Sequence, residues 1–212
     1  MSAILEQMQV GPMENFIYFI GCPDTKDVAV VDPAWDVDHL TAQAEEKGYR
    51  IAAVLLTHGH PDHVQGAGRI AEQLDVPVYI SADEAPFYEP DSPNLKKVND
   101  GDEISIGNIH IRCAAAPGHT PGCLCFQHGN ILLTGDTLFV NGCGRCDLPG
   151  GNAEKMYHTL YDRLAQFPDE TVIYPGHKYG PAAHDTLGNQ RKTNPYLTCA
   201  DKKEFLTKRM GG

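Results

Sequence analysis

Basic residues are scarce in this chain. Only 17 Lys and Arg stand against 28 Asp and Glu, a formal net charge of −11 over 212 residues. Neutralising phosphates requires clustered Lys and Arg, so a nucleic-acid partner is not expected. The short pairs Lys202-Lys203 and Lys208-Arg209 read as solvated helix faces. No apolar run approaches the roughly 20 residues that span a bilayer, so no membrane segment is expected. The opening stretch from Met1 to Phe16 lacks a basic segment followed by a long apolar one, the mark of a signal peptide. Seven cysteines are an odd number, and a chain of this size has no need of a disulfide framework, which points to a reducing cytoplasm. Low-complexity tracts, internal repeats and linker-like stretches are also missing. With 42% hydrophobic and 21% charged residues, the chain reads as one globular domain over 1–212, with a short helical extension from about 185. A monomer or homodimer is expected.

Histidine, by contrast, is plentiful at ten residues, and its placement follows the predicted elements. Phe16 to Ile20 and Val28 to Val31 read as strands joined by the turn-rich Gly21-Cys22-Pro23-Asp24. Asp36 caps a helix running to Lys47, with Leu40 and Ala44 on its apolar face and Gly48 as its stop. Ile51 to Leu56 is a continuous apolar run of strand length, consistent with a strand covered on both faces. A helix from about Val64 to Leu74 and a strand from Val76 to Ile80 follow. The second half is rich in strands: Ile104 to Ile106, Ile109 to Ala114, Cys123 to Gln127 and Ile131 to Thr134. A helix from about Ala153 to Ala165, a strand from Thr171 to Tyr174 and one or two closing helices complete it. This order predicts an α+β fold of two packed sheets with helices outside.

The strand Ile51–Leu56 delivers the chain to His58-Gly59-His60-Pro61-Asp62-His63. Imidazole and carboxylate are the side chains that bind zinc, iron or manganese. Four such groups in six residues crowd one ion, but alternate residues can serve neighbouring positions: His58 and His60 one ion, Asp62 and His63 a second. Gly59 permits close backbone approach and Pro61 stiffens the turn. The bland alternative is a His-rich surface loop. Three later residues weigh against it: His119 in a glycine–proline turn, Asp136 directly after an apolar strand, and His177 after another. Each alone would more often be structural. All sit on loops at strand ends, where a rigid scaffold positions binding groups.

The ordered set HxHxDH, His, Gly-Asp, Gly-His resembles the metallo-β-lactamase-fold hydrolases over essentially the whole chain. That resemblance implies an αββα four-layer sandwich of two mixed β-sheets with outer helices. It further implies two divalent ions, zinc first with iron or manganese as alternatives. His58, His60 and His119 would hold one, Asp62, His63 and His177 the other, and Asp136 would bridge both. Gly142-Cys143-Gly144-Arg145 is similar to an element shared by glyoxalase II and persulfide dioxygenases, and His177-Lys178-Tyr179 to a glyoxalase II segment whose tyrosine touches glutathione. Arg145 and Tyr179 are therefore substrate-binding candidates by resemblance; a surface salt bridge and a packed core tyrosine are their structural alternatives. The chain ends about 35 residues after His177, and the longer basic C-terminal helical region of classical glyoxalase II is mostly missing.

The expected activity is hydrolysis of a thioester of the S-lactoylglutathione type, a glutathione conjugate being the expected partner. Metal-bound hydroxide would attack the acyl carbon and a metal would stabilise the oxyanion, so Asp62 and Asp136 are the catalytic candidates among the ligands. Arg145 would grip a substrate carboxylate through paired hydrogen bonds. Thr57, Thr120 and Asp32 are candidates to orient the imidazoles. The alternative is a persulfide dioxygenase with a single Fe(II) on His58, His119 and Asp136, a two-His, one-carboxylate set with open positions; Asp147, two residues after Arg145, fits that branch. A lactonase stands lower. A redox role for Cys143 and Cys146 competes with their reading as two buried thiols.

Overall fold

The computed structural model describes residues 3–211. The first half forms β1 (Ile4–Val10), β2 (Asn15–Gly21), β3 (Asp27–Val31), α1 (Val37–Glu46), β4 (Arg50–Leu55), α2 (Pro61–Val64), α3 (Ala67–Leu74), β5 (Val78–Ser81) and β6 (Leu95–Val98). Its six strands make one sheet in chain order, antiparallel across β1-β2-β3 and parallel across β3-β4-β5-β6. The second half forms β7 (Glu103–Ile106), β8 (Ile109–Ala115), β9 (Leu124–His128), β10 (Ile131–Gly135), β11 (Leu138–Phe139), β12 (Gly142–Cys143), α4 (Ala153–His158), β13 (Val172–Pro175), β14 (Asp185–Thr186), α5 (Leu187–Thr193) and α6 (Lys202–Met210). Its main sheet runs β14-β13-β10-β9-β8-β7, with β10 and β13 parallel and the other neighbours antiparallel.

The near-continuous apolar sequence of β2 and β3 has a simple cause: both of their faces are covered. Phe16, Tyr18, Ile20, Ala29 and Val31 point between the sheets, meeting Ile104, Ile111, Leu124, Phe126 and Leu133. Ile17, Phe19, Val28 and Val30 point the other way, under Leu40 of α1 and Ile70 of α3. On the far side, Cys125, Leu132 and Ile173 pack beneath Met156 of α4 and Phe205 of α6. The result is four layers, helix–sheet–sheet–helix, as the resemblance implied. Among the described residues no helix is long and apolar enough to cross a membrane.

Five strands were not foreseen: β1, β6 and the two-residue β11, β12 and β14. β1 and β6 are sheet edges whose half-buried or exposed residues include Glu6, Gln7 and Gln9, or Lys96 and Lys97, so alternation is too weak to read. The helix expected over Val64–Leu74 is divided. The Gly66 N–H turns aside to the Pro33 carbonyl at 2.9 Å, and a Cβ on Gly66 would lie 2.4 Å from that oxygen. The divided helix matters because its first piece, α2, carries Asp62 and His63. The helix capped by Asp36 forms as expected, the carboxylate accepting the His39 N–H.

Strand direction gathers the metal-ligand candidates. β3 and β4 are parallel, as are β10 and β13, and β8 runs the same way as β10 because two antiparallel steps separate them. Asp32, the His58–His63 loop, His119, Asp136 and His177 all follow the C-terminal ends of these strands. Bonds between loops hold the ends together: Leu124 N–H donates to Thr57 O at 2.7 Å, Gly176 N–H to Gly135 O at 2.8 Å, and Phe16 N–H to Gly176 O at 2.7 Å.

Candidate metal centre

All seven predicted ligand residues converge at this edge. His60 Nδ1 lies 3.1 Å from His58 Nε2 and 2.9 Å from His119 Nε2. On the other side, His63 Nε2 and His177 Nε2 face each other at 3.1 Å. Asp62 Oδ2 is 3.5 Å from the first of these nitrogens and 3.4 Å from the second. Asp136 reaches both groups, 3.6 Å from His119 Nε2, 3.4 Å from His177 Nε2 and 3.5 Å from His63 Nε2.

The outward ring nitrogens reveal which inward atoms carry lone pairs. His119 Nδ1 bonds the Arg145 carbonyl at 2.7 Å and His177 Nδ1 the Met13 carbonyl at 2.8 Å, so each Nδ1 holds the proton. His63 Nδ1 donates to Asp32 Oδ2 at 3.0 Å. The Thr57 hydroxyl also donates to Asp32 Oδ2, at 2.6 Å, and is left to accept from His58 Nδ1 at 3.1 Å. With Nδ1 protonated, four imidazoles turn Nε2 inward, where each can offer a lone pair to an ion once any proton there is displaced. Asp136 Oδ1, buried there, has no hydrogen-bond partner among the described residues. Nitrogen lone pairs in mutual contact repel unless a cation lies between them. Two nitrogens on one tetrahedral zinc at about 2.05 Å each are about 3.3 Å apart, close to the spacings seen. Donor type, tautomer and distance all suit a divalent transition ion. Three triads among the described residues lie compactly enough for one, His58-His60-His119, Asp62-His63-His177 and Asp32-His58-His63, but in the third Asp32 is already engaged by the His63 Nδ1 and the Thr57 hydroxyl.

Buried supports hold the donors. Asp32 adopts φ +50°, which Asp tolerates better than most residues; its carboxylate accepts the Thr57 N–H at 2.7 Å as well as the two bonds above. Asp32 thus orients the imidazoles, as expected. Pro61 starts α2 and sets Asp62 in the first turn. Asn15 Nδ2 donates to Asp62 O at 3.0 Å and Oδ2 at 3.2 Å, and is itself fixed by Trp35 Nε1 at 2.8 Å. Gly176 comes so close that a Cβ there would sit 2.4 Å from Asp136 Oδ1.

Thr120 acts differently from expectation. Its hydroxyl donates to Glu84 Oε2 at 2.8 Å rather than to an imidazole, and the same oxygen accepts the Gly59 N–H at 3.1 Å. Buried Glu84 thereby ties the first ligand loop to the His119 loop. Glu84, Asn15 and Trp35 were missed in the sequence. Each acts on a partner at least 20 residues away, and nothing in its local pattern marks it.

The first two triads differ electrostatically. Burial, then the neighbouring imidazoles, holds His58 well below the usual histidine range, and burial followed by His119 pulls His60 down to about 4. Burial also lowers His177, but hydrogen bonds to Asp136 and Asp62 outweigh it and push the ring up to about 10. His63 is raised in the same way: burial is outweighed by Asp136, Asp32 and Asp62. Burial alone would raise Asp62 and Asp136; His177 leads the groups that hold the first low, and His63 those that hold the second.

A cleft of about 490 Å³ opens onto the donors, walled by Met13, Phe139, Leu148, Tyr179, Tyr196 and the arginines Arg145 and Arg209. Tyr179 stacks on His177 with centroids 4.5 Å apart and 6° between planes, while remaining 55% exposed; it is not a packed core tyrosine. Arg145 is at the cleft too, but its Nε and Nη2 donate to both oxygens of Asp147 at 2.8 and 2.7 Å. The paired bonds expected to reach a substrate are thus made within the chain. Cys143 and Cys146 are buried, and burial pushes the first thiol up to about 12 and the second to about 11, which leaves neither a thiolate at neutral pH.

The family model of the Metallo-beta-lactamase superfamily matches residues 10–177. The chain belongs to this superfamily. Among curated relatives, a probable polyketide biosynthesis zinc-dependent hydrolase of Bacillus velezensis is 34% identical over 91% of this chain and 85% of its own length. The mitochondrial persulfide dioxygenase ETHE1 of Homo sapiens is 31% identical over 92% and 76%. The crystal structure of ETHE1 from Myxococcus xanthus superposes with a TM-score of 0.89 at 29% identity, over 99% of this chain and 92% of that one. Superfamily membership accounts for the layered fold and for a His/Asp metal cluster at the sheet edge.

Proposed function

We propose that the chain is a non-haem iron persulfide dioxygenase acting on a small thiol-derived persulfide such as glutathione persulfide. The observation that supports this most is the pairing of Arg145 with Asp147 at the mouth of the metal cleft, together with the likeness to ETHE1 along nearly the whole chain. His58, His119 and Asp136 are the proposed iron ligands. Iron there supplies open coordination positions and the one-electron chemistry that brings O2 into reaction. In the overall reaction the terminal sulfur of R–S–SH is oxidised and its S–S bond breaks. R–SH and sulfite leave, with O2 as oxidant giving two oxygens of the sulfite and water the third. The chain's own residues orient the imidazoles through Asp32, Thr57 and the Arg145 carbonyl, and the apolar wall of Met13, Phe139 and Leu148 limits water around the reacting sulfur.

Thioester hydrolysis of the glyoxalase II kind is the second reading, favoured by one feature: the compact second triad, Asp62, His63 and His177, suited to a second ion. A paired centre supplies a hydroxide at neutral pH. The deciding experiment is purification without added metal, quantification of iron, zinc and manganese, and parallel assays of O2 uptake on glutathione persulfide and of S-lactoylglutathione cleavage. One iron per chain with O2 uptake is expected. Two zinc ions with thioester cleavage and no O2 uptake would replace the first reading by the second.

A further inference from the structure

Arg209 lies in the last turn of α6, beyond the residues 10–177 matched by the family model. Its neighbourhood in the sequence marked it as a solvated cation. The fold corrects this: α6 packs through Phe205 against the second sheet, and its far end brings Arg209 into the wall of the metal cleft. There Nη1 donates to the Cys143 carbonyl at 3.1 Å, and the guanidinium lies over the Tyr196 ring, 5.2 Å from its centroid. Its Nε is buried and has no partner among the described residues. The second arginine of the cleft, Arg145, is the opposite case, with Nε and Nη2 both spent on Asp147.

A buried donor left unpaired is costly, and most such groups in folded proteins are bonded. An arginine fixed in the wall of a ligand cleft by one terminal nitrogen and an aromatic face is preorganised for a planar anion. The cleft otherwise presents Asp62 and Asp136. In a chain of net charge −11, an anionic ligand needs a local cation that is not already neutralised.

We propose that Arg209, rather than Arg145, binds the carboxylate of the thiol-derived substrate and sets the preference for an anionic thiol conjugate. This rests on the substrate class proposed above, but on neither choice of reaction. Arg209→Met keeps length and apolar contact while removing charge; Arg209→Lys keeps charge but not the fork. With glutathione persulfide or S-lactoylglutathione, whichever is turned over, Arg209→Met should raise KM about 10- to 100-fold, with a much smaller change in kcat. The dimethyl ester of the same substrate should show little difference between wild type and variant, and Arg209→Lys should recover part of the loss. Calorimetry with reduced glutathione and its dimethyl ester gives the same comparison without turnover, so failure of the proposed reaction is distinguishable from failure of this assignment. An equal penalty on acid and ester, an unchanged KM, or wild-type protein that binds both forms of glutathione alike would overturn it.

Discussion

The two halves of the metal centre are built from similar residues, yet are prepared for a cation in different ways. His58, His60 and His119 meet nitrogen to nitrogen, and burial keeps the first two neutral well below physiological pH. Asp62, His63 and His177 mix carboxylates with imidazoles, and those carboxylates raise both rings. The carboxylates therefore favour a proton on the His63 and His177 rings, which face each other at 3.1 Å. An ion meets neutral His58 and His60 in the first half, whereas in the second it competes with a proton favoured by the carboxylates. The same side-chain types thus make one position permissive and the other pH-gated.

Asp136 joins the halves, so its loss erases the distinction and should have the largest effect. Asp136→Asn is expected to reduce activity by about 10³-fold or more and to lower metal content per chain, read by elemental analysis of the purified variant. Asp32→Asn comes next, because Asp32 orients His63 directly and His58 through Thr57. A loss of about 10- to 100-fold in metal affinity is expected; a variant weakened at one half only would show that the Thr57 link carries nothing. The third test is pH. His177 is raised in the folded metal-free chain, so it contributes stability below its unfolded value near 6.5 that is lost as pH rises through about 10. Denaturant midpoints of metal-free protein should fall across that window, and filling of the second position should release protons, detected by calorimetry in buffers of different ionisation heat. Identical proton release on filling either half would break the comparison. The smallest effect belongs to Asn15→Ala, which removes the two bonds to Asp62 and the acceptor of the Trp35 Nε1–H but touches no residue of the first half. It should weaken the second position about 5-fold and leave the first unchanged.

The ligand set was legible because a divalent ion demands a short menu of side chains, and His58, His60, Asp62 and His63 fall together in one loop. The central strands were legible too, since burial on both faces demands unbroken apolar runs such as Phe16–Ile20 and Ile51–Leu56. Edge strands β1 and β6 were not: one face of each meets water, and their mixed composition fits a loop equally well. Arg145, offered as a substrate-binding residue, lines the cleft, but its capture by Asp147 is the salt-bridge alternative and depends on side-chain rotamers that spacing does not report. Arg209 was misread because a basic pair at a helix end is usually solvated, and only the docking of α6 turns it inward.

The sequence by itself determined the chemical inventory: five imidazoles and two carboxylates with the turns to present them, and apolar segments enough for two covered sheets. Tertiary structure decided everything that depends on distance. It set which ring nitrogen faces inward, which carboxylate spans both halves, and which of two arginines keeps free donors. Those properties arise between residues far apart in the chain, where energies fall off over a few ångströms, and no local pattern encodes separations that only the packing of two sheets brings about.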